Sequence, residues 1–153
     1  MTQEQINKIK QGLGEYAAQA RFVARRGKEP ISPITGYGAK ANDPSTWGTL
    51  KQALACVGKN GVDGIGVELG GGLCGIDLDH CTENKGSAKE WALDIMKIMH
   101  GCDNGRGTYW EKSPSGKGIH VLFTGTIPTG ARKKGNIEMY SEGRYFTLTG
   151  NGW

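Results

Sequence analysis

The sequence predicts an α+β fold in which a mostly antiparallel sheet carries its helices on one face. Three observations predict it. Short segments of apolar–polar alternation recur along the chain, as in Gly64–Leu69, Ile119–Phe123 and Asn136–Tyr140, which is the period of half-buried strands. Two other segments place apolar residues at helical spacing behind capping signals. The 26 glycines follow no collagen-like period and fall at turns, so many short elements joined by tight loops are expected.

A chain of 153 residues fits one domain, spanning 1–153, and can bury a real core. With 37% hydrophobic and 22% charged residues, the composition is globular rather than disordered. The net charge of +4 is compatible with a polyanionic partner without requiring one. The first residues are polar and no stretch approaches the apolar length that spans a bilayer, so no membrane partner and a cytoplasmic location are expected. Cys56, Cys74, Cys81 and Cys102 form no Cys-x-x-Cys pair and read as reduced thiols. A zinc site from Cys74, His80, Cys81, His100 and Cys102 matches no familiar ligand spacing.

In chain order, Thr2 with Gln5 makes a capping box for a helix running toward Ala20, interrupted by Gly12 and Gly14. Arg21–Arg26 is a strand or the end of that helix. The stretch from Gly27 to Asn42 carries Pro30, Pro33, Gly36 and Gly38 and cannot be one long regular element. Asp43–Trp47 opens a second helix capped by Ser45 or Thr46 and ending near Gly58, with Leu50, Ala53, Leu54 and Val57 on its buried stripe. Gly64–Leu69 alternates, and Gly70–Gly72 join it as a hairpin to the following strand. Ser87 with Glu90 caps a third helix whose stripe is Ala88, Trp91, Ala92, Ile95 and Met99, ending at Gly101. A turn at Asp103–Gly105 leads to a strand over Thr108–Glu111. Strands over Ile119–Phe123, Asn136–Tyr140 and Gly143–Thr149 complete the chain.

Chemistry gathers first at Gly70–His80, Gly-Gly-Gly-Leu-Cys-Gly-Ile-Asp-Leu-Asp-His. On a strand Asp77 and Asp79 share one face, about 6–7 Å apart at Cα. Their repulsion is roughly 3 kcal/mol at an effective dielectric near 20, and a hard divalent cation such as Mg²⁺ is the usual relief. Taken alone, an Asp-x-Asp is as readily a strand end with two solvated aspartates. His120 and Glu138, however, are likewise the polar members of apolar alternating strands. If these strands share one sheet, all four side chains project from the same open face, a set suited to metal binding.

The loop ahead of His120, Ser113-Pro-Ser-Gly-Lys-Gly118, offers hydroxyls, a lysine and backbone amides to an anion. It is not a Walker A loop, because Glu111 stands where that motif needs Gly and Gly118 where it needs Ser or Thr. Three carboxylates and a nucleoside triphosphate total roughly −7, of which two divalent ions cancel four. Lys117, the Arg132–Lys134 cluster, Arg144 and His120 can supply the remaining positive charge.

The ordered set Gly-Ile-Asp77-Leu-Asp79, Ser-Gly-Lys-Gly-Ile-His120, Ile-Glu138-Met-Tyr and Gly-Arg144-Tyr-Phe-Thr-Leu-Thr-Gly150 resembles the archaeo-eukaryotic primase superfamily. In particular it resembles the primase–polymerase domain of phage and plasmid replication proteins. That family's three motifs are hydrophobic-Asp-hydrophobic-Asp, small-x-His and hydrophobic-acid, and all three occur here in order. The resemblance implies an RRM-like catalytic core, and a template-dependent DNA primase or polymerase that joins nucleotides on single-stranded DNA. It implies that Asp77, Asp79 and Glu138 hold two Mg²⁺ or Mn²⁺ ions and that His120 contacts the phosphates of the incoming nucleoside triphosphate. Ser113, Ser115, Lys117 and Arg144 would assist in nucleotide binding, and a replicative helicase in trans is a further partner it suggests. Relatives usually continue beyond the last motif, whereas this chain stops at Trp153. A C-terminally truncated, non-catalytic domain that binds nucleotide or single-stranded DNA is therefore the alternative. A glycosyltransferase would use Asp-x-Asp but gives His120 and Glu138 no comparable task. Toprim-type enzymes place their glutamate before the Asp-x-Asp, whereas here it follows.

Overall fold

A computed structural model describes residues 1–83, 86–102, 108–128 and 132–153. The helices are α1 (Gln3–Leu13), α2 (Leu50–Cys56) and α3 (Glu90–Cys102). The strands are β1 (Phe22–Arg26), β2 (Glu29–Ile31), β3 (Gly64–Glu68), β4 (Leu73–Leu78), β5 (Tyr109–Lys112), β6 (Ile119–Thr124), β7 (Lys133–Lys134), β8 (Ile137–Tyr140) and β9 (Tyr145–Leu148). The fold is α+β, and every strand pairing is antiparallel.

The strands divide between two sheets, ordered β2-β1-β3-β9 and β5-β6-β4-β8-β7. This division corrects the hairpin expected at Gly70–Gly72. All three of these glycines have positive φ, and they turn the chain out of the first sheet and into the second rather than pairing β3 with β4. The closing strand β9 likewise joins β3 rather than its chain neighbour β8.

Strand alternation sorts the core into layers. One face of the second sheet gives Leu73, Tyr109 and Leu122 to a cluster with Phe22, Ile65, Val67, Phe146 and Leu148 of the first sheet. Ile9 and Leu13 of α1 and Leu50 and Ala53 of α2 close the same cluster. The opposite face gives Ile76, Leu78, Ile119 and Val121, which pack on Ala92, Trp91, Ile95, Met96 and Met99 of α3. The buried stripes expected for α2 and α3 are therefore the ones that pack. Glu68 breaks the apolar rule. It is fully buried on β3, and neither carboxylate oxygen has a hydrogen-bond partner among the described residues.

Several element ends differ from expectation. The Thr2/Gln5 capping box is present, but α1 stops at Leu13 and gives way to a 3₁₀ segment, Gly14–Ala18. Asp43 caps a separate 3₁₀ turn, Pro44–Thr46, and Trp47 is extended. The true start of α2 is Thr49, whose hydroxyl accepts from the Gln52 N–H while the Gln52 side chain accepts from the Thr49 N–H. Ser45 and Thr46 are therefore not its caps. Thr49→Ala should cost about 1 kcal/mol and lower Tm by roughly 2–4 °C in a thermal melt. Helix α3 begins at Glu90, three residues after Ser87, and Ala88 instead forms a bridge with Thr82. The expected turn at Asp103–Gly105 lies outside the described residues. Short β2 sits within the Pro/Gly stretch, which holds no long regular element, as expected. Cys56, Cys74 and Cys81 are free thiols, and no described helix is long and apolar enough to cross a membrane.

Candidate active site

The register of the second sheet builds the site. Asp77 on β4 lies directly opposite His120 on β6 and Glu138 on β8. Glu111 on β5 lies opposite His120, and Lys133 on β7 opposite Glu138. One cross-strand row, Glu111–His120–Asp77–Glu138–Lys133, thus runs over all five strands on a single face. Directly opposed side chains have Cβ atoms about 4.5–5.5 Å apart, so each member of the row is within reach of the next.

That face is not open, as the sequence suggests, but partly roofed by the first sheet. The His120 ring lies 5.4 Å from the Phe146 ring of β9, and His120 is only 7% exposed. Asp77, His120 and Glu138 line a cleft of about 280 Å³, together with Lys28, Tyr140, Arg144 and the β9 residues Tyr145–Thr147. Lys28 is carried there by the β1–β2 turn, which the Tyr145 hydroxyl tethers by donating to the Lys28 carbonyl at 2.6 Å. Arg144 stacks over the Tyr140 ring at 4.7 Å and donates to its hydroxyl at 3.2 Å.

Other expected site residues lie beside this cleft rather than in its lining. Asp79 falls just past β4, exposed, with its N–H donating to the Asn136 carbonyl at 2.8 Å. The 113–118 loop is braced internally, Ser113 Oγ meeting Ser115 Oγ at 3.1 Å and accepting from the Gly118 N–H. It abuts the end of β4, where a Cβ on Gly118 would sit 2.8 Å from the Leu78 carbonyl and 3.7 Å from Asp79 Cα. Gly118, and Ser113 beside it, therefore stand close to Asp79, while Ser115 and Lys117 belong to the same loop outside the cleft lining.

Charge in the row is unevenly relieved. Burial pushes the Asp77 carboxyl above its ordinary pKa; His120 opposes that shift, and Asp79 and Glu138 add to it. Glu138 is held below its ordinary value by hydrogen bonds from the Lys133 ammonium and the Tyr140 hydroxyl, and Lys133 is raised in return. For His120, burial disfavours the charged ring. Glu111, Asp77 and the Thr147 carbonyl together outweigh that effect, leaving the pKa above its ordinary value.

The donor set can be weighed for a divalent cation. Asp77 and Glu138 are adjacent oxygen donors, and repulsion within the Asp77–Asp79–Glu138 group is what a cation relieves. The Lys133 ammonium already plays a cation's part against Glu138. Among the described residues, no three His, Cys, Asp or Glu side chains converge on one metal position as they stand. Within the acidic group, the two Glu138 oxygens are turned to Lys133 and Tyr140. By donor chemistry Asp77 and Glu138 suit a hard divalent ion, and in this structure the Lys133 ammonium holds the place beside Glu138. The same result gives the zinc grouping no support among the described residues.

Glu111 is a site residue that sequence reasoning missed. It is fully buried, and its Oε2 accepts from the Tyr109 hydroxyl at 2.8 Å and from the Thr149 and Gly150 N–H groups at 2.8 and 3.0 Å. Its Oε1 lies 3.3 Å from His120 Nδ1. The sequence shows it only as the end of a short strand, and the pairing that brings it beside His120 comes from the fold.

Fold and site together define a mixed α/β protein with acids, a histidine and an arginine gathered on one cleft. The chain is 36% identical over 148 residues to the protein named DNA Primase-polymerase of Nitratiruptor phage NrS-1. That match takes in 90% of this chain and 20% of the relative's length. No family model matches the chain. The resemblance read from the three motifs is borne out: the chain is a homologue of one part of a phage DNA primase-polymerase.

Proposed function

We propose that this chain is the nucleotidyltransferase core of a primase–polymerase, joining nucleotides on a single-stranded DNA template to start primers, extend them, or both. The observation that carries this reading is the cross-strand row that sets His120, Asp77 and Glu138 side by side on a cleft shared with Arg144. In this reading Asp77, Asp79 and Glu138 hold two Mg²⁺ or Mn²⁺ ions. Such ions supply a lowered pKa at the attacking 3′-hydroxyl and charge compensation for the triphosphate and departing pyrophosphate.

The chain's own share is positioning and charge stabilisation, with no covalent intermediate. His120 presents Nε2 to the triphosphate from the floor of the cleft. Arg144 and Lys28 counter phosphate charge from its rim, and the loop bearing Ser113, Ser115 and Lys117 approaches from the side of Asp79. Lys133, once displaced from Glu138, becomes a further cation for the anionic substrate.

The test is incorporation of labelled nucleotides by the purified protein on primed and unprimed single-stranded DNA, with Mg²⁺ or Mn²⁺. Template-dependent product is expected. Metal-dependent nucleotide binding without product would favour a non-catalytic binding domain, a reading motivated by the short share of the relative that the chain spans. Arg144→Ala should raise the KM for the incoming nucleotide about tenfold and leave kcat largely unchanged, because it removes a charged contact to the substrate outside the reacting bonds. Steady-state kinetics with varied nucleotide checks this.

A further inference from the structure

We propose that Glu111 is the positioning residue of this site, clamping His120 through Nδ1 so that Nε2 faces the phosphates of a bound nucleoside triphosphate. The proposal rests on the nucleotide-binding reading above and adds to it a residue that touches neither substrate nor metal ligand. Two acceptors surround His120 Nδ1: Glu111 Oε1 at 3.3 Å and the Thr147 carbonyl at 3.2 Å. Neither oxygen of that pair is a natural donor, so Nδ1 carries the proton. The other ring nitrogen is thereby left to the cleft, where Nε2 stands 3.9 Å from Asp77 Oδ1.

A histidine held in this way keeps its ring plane fixed and its Nε2 edge turned to the cleft, so the ring is already placed when an anion binds. Glu111 is itself immobilised by the three donors on Oε2. Its position is therefore set by the backbone at Thr149 and Gly150, one strand-end away from the cleft. The arrangement is that of a carboxylate behind a ligand-binding histidine, which fixes both tautomer and ring orientation.

The first measurement uses the unmodified protein: ¹⁵N spectra of the His120 ring should show the proton on Nδ1. A bare Nδ1 with the proton on Nε2 overturns the proposal without any variant. The second measures dATP affinity, with Mg²⁺ present, in Glu111→Gln. The Gln amide can keep an oxygen on the Thr149 and Gly150 N–H groups but then turns an NH₂ donor toward Nδ1, so the contact that holds the ring is lost. Binding should weaken about tenfold or more, as for loss of a charge-assisted contact, and Glu111→Gln should add nothing in a His120→Ala background. A loss that persists in that background, or no loss at all, overturns the clamp. If the unmodified protein binds no triphosphate, the nucleotide reading fails, while the His120 spectrum still decides the Glu111 pairing.

Discussion

Asp77→Asn should reduce nucleotide incorporation at least about 10³-fold while leaving the protein as stable as before, or more so. The functional half follows from position. Asp77 is the central member of the cross-strand row, flanked by His120 and Glu138, and its carboxylate is the donor that both neighbours frame. On the nucleotidyltransferase reading proposed above, replacing it with an amide of the same shape removes the charge that a divalent ion would need there, and the loss would fall on the transition state. The stability half follows from the direction of its pKa. Burial and the neighbouring Asp79 and Glu138 raise that pKa, so the ionised form is disfavoured in the folded protein. Its contribution to stability falls as pH rises above the ordinary aspartate range. An uncharged isostere escapes that cost, as is common where activity demands an unfavourable charge. Incorporation assays beside thermal melts at pH 7 check both halves. Retained activity in a folded, metal-supplemented variant would remove Asp77 from the mechanism.

The row that carries this prediction was largely legible in the sequence. His120 in Ile-His-Val-Leu-Phe and Glu138 in Ile-Glu-Met-Tyr each interrupt an apolar alternation, and period-2 geometry puts them on the same face as Asp77 if their strands are neighbours. Which strands are neighbours is a tertiary matter. Alternation in β3 and β4 is equally good for one sheet or two, and Gly70–Gly72 satisfies a hairpin as well as a crossing between sheets. Asp79 shows a related limit, because a strict two-residue period keeps it with Asp77 only while the strand continues. The strand ends at Leu78, and His80 adopts a positive φ. The cap of α1 was legible in place, that of α2 in kind only. Ser45, Thr46 and Thr49 are all competent hydroxyls, and the choice of Thr49 is decided by Gln52 reaching back to close its capping box. Glu111 was illegible as a site residue because nothing local separates a buried, fully bonded glutamate from a solvated one. Its meaning comes from the Thr149 and Gly150 amides, 38 and 39 residues away.

Glu68 is the second charge whose cost can be measured, and it lies outside the cleft lining. It sits on β3 opposite Tyr145, fully buried and without a hydrogen-bond partner on either oxygen among the described residues. Burial raises its pKa from 4.5 to about 7. Between those two values the folded protein holds a proton that the unfolded chain has released, so stability falls as pH rises through that window and stays reduced above it. The penalty at pH 8 is roughly 3 kcal/mol. Glu68→Gln keeps the shape and removes the charge, so its Tm at pH 8 should exceed that of the unmodified protein by about 6–12 °C, with a much smaller difference at pH 5. His120, whose folded pKa is also raised, contributes stability below its ordinary range that is lost as pH rises, which is the same direction. The difference between the two proteins, rather than either melting curve alone, isolates Glu68. Parallel melting curves across pH 5–8 would mean that the Glu68 carboxylate is solvated or paired in solution.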